Sequence, residues 1–280
     1  MDSLTANNLT LGFGDRIIID ELDISIPKGE ITVFIGPNGC GKSTLLRSLA
    51  RLLKPKQGSV VLNGQNISKM RTKDVAQNLA ILPQAPANPE GLTVYELVKQ
   101  GRHPYRKMMK QWSEEDEEAV QKALKDTNMA DLKDQSVDSL SGGQRQRAWI
   151  ALTLAQDTEI ILLDEPTTYL DLMHQIDVLD LLFELNEKDG RTIIMVLHDL
   201  NLASRYADHI IAIKDKKVYA QGKPEETISA ELVSAVFRMN CNIARDPIFG
   251  TPMCIPHGRG NCLIQDAMQE NPLHQSPKAL

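Results

Sequence analysis

"ITVFIGPNGCGKST", Ile31 to Thr44, sets a short apolar run against a glycine-rich stretch that ends in Lys-Ser-Thr. Ile31–Ile35 has the character of a strand buried on both faces. Beyond it, Leu45, Leu46, Leu49, Leu52 and Leu53 fall at helical spacing. Strand, loop and helix in that order open a βαβ unit. The loop itself, Gly36, Pro37, Asn38, Gly39, Cys40, Gly41, Lys42, Ser43 and Thr44, matches G-x-x-x-x-G-K-[ST]. Its glycines let successive backbone N–H groups converge on nucleotide phosphates. Lys42 brings a positive charge to the β- and γ-phosphates, Ser43 offers a hydroxyl to Mg²⁺, and the following helix points its N-terminus at the same anion.

"IILLDEP" supplies the complementary acids. Its apolar residues bury a strand, and Asp164 emerges at the end, where an aspartate can hold Mg²⁺. Glu165, one residue on, is placed to orient or deprotonate an attacking water.

The flanking sequence predicts the remaining layers. Leu9–Ile26 alternates apolar and polar residues around "GFGD" and reads as antiparallel strands. "GSVVLNG" and "LAILPQ" read as further strands. From Gly91 to about Asp138 the pattern is helical and charged, with Ser113 capping an acidic first turn. A helix over Ser141–Gln156, the strands "TIIMVL" and "IIAI", and a helix through Asn186 complete an alternation that implies a mostly parallel, doubly covered sheet. "KDKKVYAQG" reads as a hairpin. Beyond about Asn240 the chain reads as irregular, ending in the frayed tail "QENPLHQSPKAL".

"LSGGQ", Leu140 to Gln144, narrows the reading. It arises by chance in roughly a few chains per ten thousand. Ser141 is a good N-cap, but Gly142 and Gly143 each weaken a first helical turn by about 0.5–1 kcal/mol relative to alanine. In return they bare N–H groups to which a phosphate can come close. This makes a second phosphate-binding helix start in one chain. A dimer accounts for it most simply: each Lys42 loop binds ATP, and Ser141, Gly142, Gly143 and Gln144 of the other copy close over it.

With these motifs in this order, the chain resembles the ATP-binding subunits of ABC transporters. The resemblance spans roughly residues 4–240 and implies an α/β fold: a P-loop (RecA-like) mostly parallel core, an N-terminal antiparallel β subdomain and an α-helical subdomain at about 86–157, followed by a C-terminal extension, 241–280. It identifies Gln84 as the Q-loop glutamine, a Mg²⁺ sensor facing the membrane partner. Asp171 in "TTYLD" matches the loop that crosses the dimer interface, and His198 in "VLHDL" the switch histidine that contacts the γ-phosphate. Phe13 stands where the family stacks a tyrosine on adenine; phenylalanine keeps the π-face. The implied catalytic group is Glu165, His198, Lys42 and Gln84; the implied metal ligands are Ser43, Gln84 and Asp164.

"GLTVYELVKQGRHPY", Gly91 to Tyr105, occupies the stretch that docks on the permease in this family. Its wording, with "DEPTTYLDLMHQ", "VLHDLNLASRYADHIIAI" and "GTPMCIP", resembles importers of iron–siderophore, ferric citrate, haem or cobalamin type, ferric citrate and siderophore ATPases most closely. The resemblance implies two integral membrane permease subunits, an extracytoplasmic substrate-binding protein, and a peripheral place on the cytoplasmic face of the membrane. Rival roles fit less well. Translation-control ATPases usually carry two cassettes, DNA-repair relatives insert a long coiled coil, and exporters often carry their own membrane span.

Bulk properties agree. Net charge is −6, which argues against a broad nucleic-acid surface, and no apolar run approaches the ~18–20 residues of a membrane helix. "MDSLTANNLT" lacks the pattern of a secretory signal. The four cysteines, Cys40, Cys241, Cys254 and Cys262, read as free thiols. No tight C-x-x-C pair supports a metal site around Cys254, His257 and Cys262.

Overall fold

The computed structural model describes residues 2–84, 86, 91–106 and 112–258. In chain order its elements are β1 (Asp2–Phe13), β2 (Arg16–Pro27), β3 (Ile31–Ile35), α1 (Lys42–Leu49), β4 (Gln57–Leu62), β5 (Gln65–Asn66), α2 (Thr72–Asn78) and β6 (Leu79–Leu82). Then come α3 (Val94–Lys99), α4 (Glu114–Asp126), α5 (Gly142–Ala155), β7 (Ile160–Leu163), α6 (Leu172–Asp189), β8 (Thr192–Val196) and α7 (Leu200–Tyr206). β9 (His209–Lys214), β10 (Lys217–Gly222), α8 (Pro224–Thr227), α9 (Ala230–Phe237), β11 (Cys241–Arg245) and β12 (Pro252–Pro256) close the described chain.

The central sheet runs β10-β9-β3-β8-β7-β6, parallel except for β10. Its inner strands read as unbroken apolar runs because both faces are covered. Ile31, Val33, Ile161 and Leu163 face a core shared with α3–α7 and α9. Phe34, Ile160 and Leu162 face the other core, formed with α1 and the four-stranded antiparallel sheet β2-β1-β4-β5. Each large side chain fully buried here contributes about 1.5–3 kcal/mol of apolar transfer free energy.

The N-terminal strands begin earlier than their alternation suggests, at Asp2 rather than Leu9. The β9–β10 hairpin forms as expected, with Asp215 and Lys216 both at positive φ in its turn. Ser113 caps α4 through a reciprocal pair with Asp116. Trp112 and Trp149 pack against the helical core.

One sequence expectation is corrected. The stretch past Asn240 is not irregular: β11 and β12 pair antiparallel, Cys241 opposite Pro256. Each strand has five residues, too few for alternation to register, and prolines bound the second. A tertiary tie anchors the second strand to α7. Asn201 on α7 donates to the Cys254 carbonyl at 3.2 Å and accepts from its N–H at 2.7 Å. The frayed-tail expectation and Cys262 lie outside the described residues. Among the described residues no helix is long and apolar enough to cross a membrane.

Candidate functional site

Parallel pairing in near-common register brings four strand ends to one edge. Phe34 lies opposite Val196, Leu163 opposite Met195, and Leu82 opposite Leu163. The residues that follow each strand therefore emerge together: the phosphate loop after β3, Gln84 after β6, Asp164 and Glu165 after β7, and His198 after β8. Ligands of open α/β sheets bind at such carboxyl-terminal edges.

Two loop glycines have no substitute. Gly36 has φ +147°, and a Cβ there would sit 2.3 Å from the Ile213 carbonyl oxygen; Gly41, at φ +110°, would press on Ile19 at 2.8 Å. The first helical bond of α1 runs from Leu45 N–H to the Gly41 carbonyl, 2.8 Å. The N–H groups of Lys42, Ser43 and Thr44 thus find no backbone acceptor among the described residues. They form, with the helix dipole, a cradle for an anion. The Lys42 ammonium, almost wholly buried, donates to the carbonyls of Gly36 (2.8 Å) and Pro37 (3.1 Å).

Beneath the loop, Ser43 Oγ donates to Asp164 Oδ1 at 2.8 Å. Burial pushes the Asp164 carboxyl above its usual range; the Ser43 bond lowers it, and the Glu165 charge raises it further. The nearby charges of Arg47 and Lys42 lower it by less. A hydroxyl beside a buried carboxylate is a donor set suited to a hard divalent cation such as Mg²⁺.

Glu165 is the hub of the opposite wall. Its Oε1 lies 2.7 Å from His198 Nε2, and its Oε2 accepts from Gln84 Nε2 (2.5 Å) and Thr168 Oγ1 (3.0 Å). Its backbone holds φ +54°, a left-handed conformation that costs a non-glycine residue about 1–3 kcal/mol and concentrates at functional sites.

These walls enclose a cavity of about 1100 Å³. The loop residues Gly36–Gly39 and Gly41–Thr44 line it, as do Phe13, Gln84, Glu165 and His198. Phe13 leaves 55% of its surface exposed, a ring face open to stacking. Arg16, Ile18, Thr168, Tyr169 and Phe237 also line the cavity. Sequence reading named none of them as site residues, although Thr168 and Tyr169 lie in the "TTYLD" stretch matched to the interface loop. The place of Thr168, three residues after Glu165, was a usable signal, whereas Phe237 reaches the site from α9 and had none. Cys40 turns to an adjoining cavity, and burial pushes its thiol up.

The structure does not bring Ser141, Gly142, Gly143, Gln144 or Asp171 to this cavity. Ser141 caps α5: its Oγ accepts from Gln144 N–H at 3.3 Å, and Gln144 Oε1 accepts from Ser141 N–H at 3.0 Å. Asp171 caps α6 by accepting from His174 N–H at 3.0 Å. Among the described residues, Cys40, Cys241 and Cys254 are free thiols, and no group of three or more His, Cys, Asp or Glu side chains could hold a metal.

Residues 19–168 match the model of the ABC transporter family. The chain is 68% identical over 267 residues to a Bacillus subtilis protein named probable siderophore transport system ATP-binding protein YusV, covering 95% of this chain and 97% of that one. It is 67% identical to the petrobactin import ATP-binding protein FpuD of Bacillus anthracis, covering 92% and 94%. Among solved structures, the cassette MJ0796, a bacterial ABC transporter cassette seen as a dimer, superposes with a TM-score of 0.69 at 31% identity, over 79% of this chain and 98% of that one.

Proposed function

Since this chain belongs to the ABC transporter ATP-binding proteins, we propose that it powers an importer of an iron chelate, a siderophore or ferric citrate, by hydrolysing ATP between two copies of itself. Relatives named for siderophore and petrobactin import support the substrate class. One observation carries the mechanism. The Ser141–Gln144 turn has the bare, capped N-terminus of an anion site, yet none of its residues lines the chain's own cavity. A second copy, head to tail, supplies the missing wall.

Each residue then has a task. Phe13 stacks on the adenine. The amides of Lys42, Ser43 and Thr44 hold phosphate oxygens, and Lys42 moves its charge from the loop carbonyls to the β- and γ-phosphates. Mg²⁺ held by Ser43 and Asp164, with Gln84, would neutralise charge on the phosphates. Glu165 orients the attacking water and takes its proton. His198, bonded to Glu165, and Ser141 of the second copy stabilise the transferred phosphoryl group. Asp171 stands beside the second copy. Gln84 and the Gly91–Tyr105 stretch pass closure to two integral membrane permease subunits, fed by an extracytoplasmic substrate-binding protein. The assembly sits at the cytoplasmic face of the membrane and has no nucleic-acid role.

Uptake of single iron chelates by cells lacking this chain tests the substrate class. Loss of siderophore or ferric citrate uptake, restored by the wild type and not by Glu165→Gln, is expected. Undiminished uptake of every iron chelate overturns the assignment. Ser141→Arg tests the two-copy site: turnover falls while the isolated chain keeps its ATP affinity, and equal loss of both contradicts it.

A further inference from the structure

Gly142 and Gly143 are neighbours, but their surroundings differ. A Cβ on Gly142 would meet nothing closer than Leu170 Cδ2 at 4.0 Å. A Cβ on Gly143 would lie 2.4 Å from His174 Cδ2 and 2.9 Å from its Cγ. The second glycine is therefore demanded by an imidazole of the same chain, packed flush on the turn. That imidazole is tethered in place. Its Nδ1 lies 2.6 Å from Asp171 Oδ1, the oxygen that also accepts from the His174 N–H at 3.0 Å. One helical turn further on, Arg147 of α5 donates to Asp177 of α6 at 2.6 Å. The two helices are thus tied at two successive levels, 143 against 174 and 147 against 177. Gln175 Nε2 donates to the Leu170 carbonyl at 2.8 Å, securing the loop that leads into α6.

We propose that His174 is a positioning residue that locks the Ser141–Gln144 turn to Asp171, so that the two segments facing the second copy move as one body. The proposal rests on the two-copy reading above, because only there do both segments act on a nucleotide. Asp171 anchors the ring, the ring edge fills the place of a Gly143 side chain, and the turn keeps its bare N–H groups in a set direction. A shift of the Asp171 loop on contact with the other copy is then transmitted to the turn without slack. Gly142, with open space around it, is left as the glycine that a phosphate can approach.

Five variants test the lock. His174→Asn keeps an N–H donor at the Nδ1 place and an atom at the Cδ2 place; His174→Leu keeps bulk and loses the donor. His174→Leu and His174→Ala are expected to lower kcat about tenfold while the isolated chain binds ATP within about twofold of the wild type. His174→Asn is expected to recover most of the loss, which a residue acting only as filler would not show. Gly143→Ala is expected to be nearly inactive, and Gly143→Ala/His174→Ala to regain at least about fivefold over it, because the second change vacates the contested space. Wild-type turnover in His174→Leu, or a double variant no better than Gly143→Ala, overturns the lock. Sizing chromatography of Glu165→Gln with ATP separates this from failure of the premise. A Glu165→Gln chain that stays monomeric removes the two-copy reading and the proposal with it. A dimer alongside wild-type turnover in His174→Leu removes the lock alone.

Discussion

Glu165 Oε1 and His198 Nε2 stand 2.7 Å apart in the lining of the nucleotide cavity, while the other carboxylate oxygen is occupied by Gln84 and Thr168. The glutamate is held on two sides by groups from three strand ends. Glu165→Gln keeps the shape and removes the proposed base. It is expected to lower turnover by about 10²–10⁴-fold and to accumulate an ATP-bound dimer, read by phosphate release and sizing chromatography. His198→Ala should lower kcat with little change in the ATP affinity of the isolated chain. A His198→Ala enzyme with wild-type kcat would show that the histidine has no part in the chemistry.

Asp164 gives a pH signature. Its carboxyl is raised by burial, so the folded chain holds a proton more readily than the unfolded one. The stability that this proton brings is full below the unfolded value and is lost as pH rises through the folded value. At neutral pH the buried charge is a burden. Asp164→Asn should therefore raise Tm, by about 2–4 °C for each kcal/mol recovered, while ATPase activity falls on the order of 10²-fold or more. Melting curves from about pH 4 to pH 8 should converge at the acid end and separate toward neutrality. An Asp164→Asn chain that melts lower at neutral pH would contradict the raised carboxyl.

The sequence made one half of this site legible and left the other implicit. Gly36–Thr44 and Asp164–Glu165 announce themselves because phosphate and cation chemistry demands those residue types beside buried apolar strands; His198 is singled out through the family resemblance and its place after a buried strand. Their meeting on one edge follows from parallel register, which a sheet covered on both faces enforces. Phe237 and Arg16 were invisible because their contribution depends on where α9 and the β1–β2 turn come to rest. His174 shows no functional context in the sequence, unlike His198, for a similar reason: its place is defined by the missing Cβ of Gly143, a contact between residues far apart in the chain. The β11–β12 hairpin was missed because its short strands carry little alternation of their own, while β12 is anchored from α7 by Asn201, far away in the sequence.

Phe13 tests the base-binding end. The exposed ring has a face to offer and no hydroxyl to lose. Stacking on an aromatic side chain is worth about 1–3 kcal/mol, so Phe13→Ala should weaken nucleotide binding on the order of 10- to 100-fold. Phe13→Tyr should bind as the wild type does. The π-face discriminates poorly between purines, so Phe13→Ala should weaken ATP and GTP in equal measure, as measured by calorimetry. Loss confined to ATP would point to a hydrogen-bonded adenine pocket instead.

Arg102 and Asp116 form a buried ion pair in the helical subdomain. Arg102 Nε donates to Asp116 Oδ1 at 2.9 Å, its Nη1 donates to the Ala155 carbonyl at 3.0 Å, and its guanidinium lies 3.9 Å from the Tyr105 ring centre. Asp116 also closes the α4 cap with Ser113. Burial pushes its carboxyl up, but the bonds from Arg102 and Ser113 outweigh burial and hold it below the usual range. The stability it brings is therefore present above its unfolded value and lost as pH falls through the lower folded value. Asp116→Ala strands a buried guanidinium and opens a cap, and should cost about 3–5 kcal/mol, read from urea unfolding at neutral pH. Arg102→Met/Asp116→Leu should recover a good part of that loss, because an apolar pair leaves no buried charge unpaired. The Gly91–Tyr105 stretch contains Arg102, so a destabilised Asp116→Ala chain should lose coupled uptake before it loses basal ATPase activity. Equal decline of both would place the pair in the support of the catalytic core and not of the proposed coupling surface.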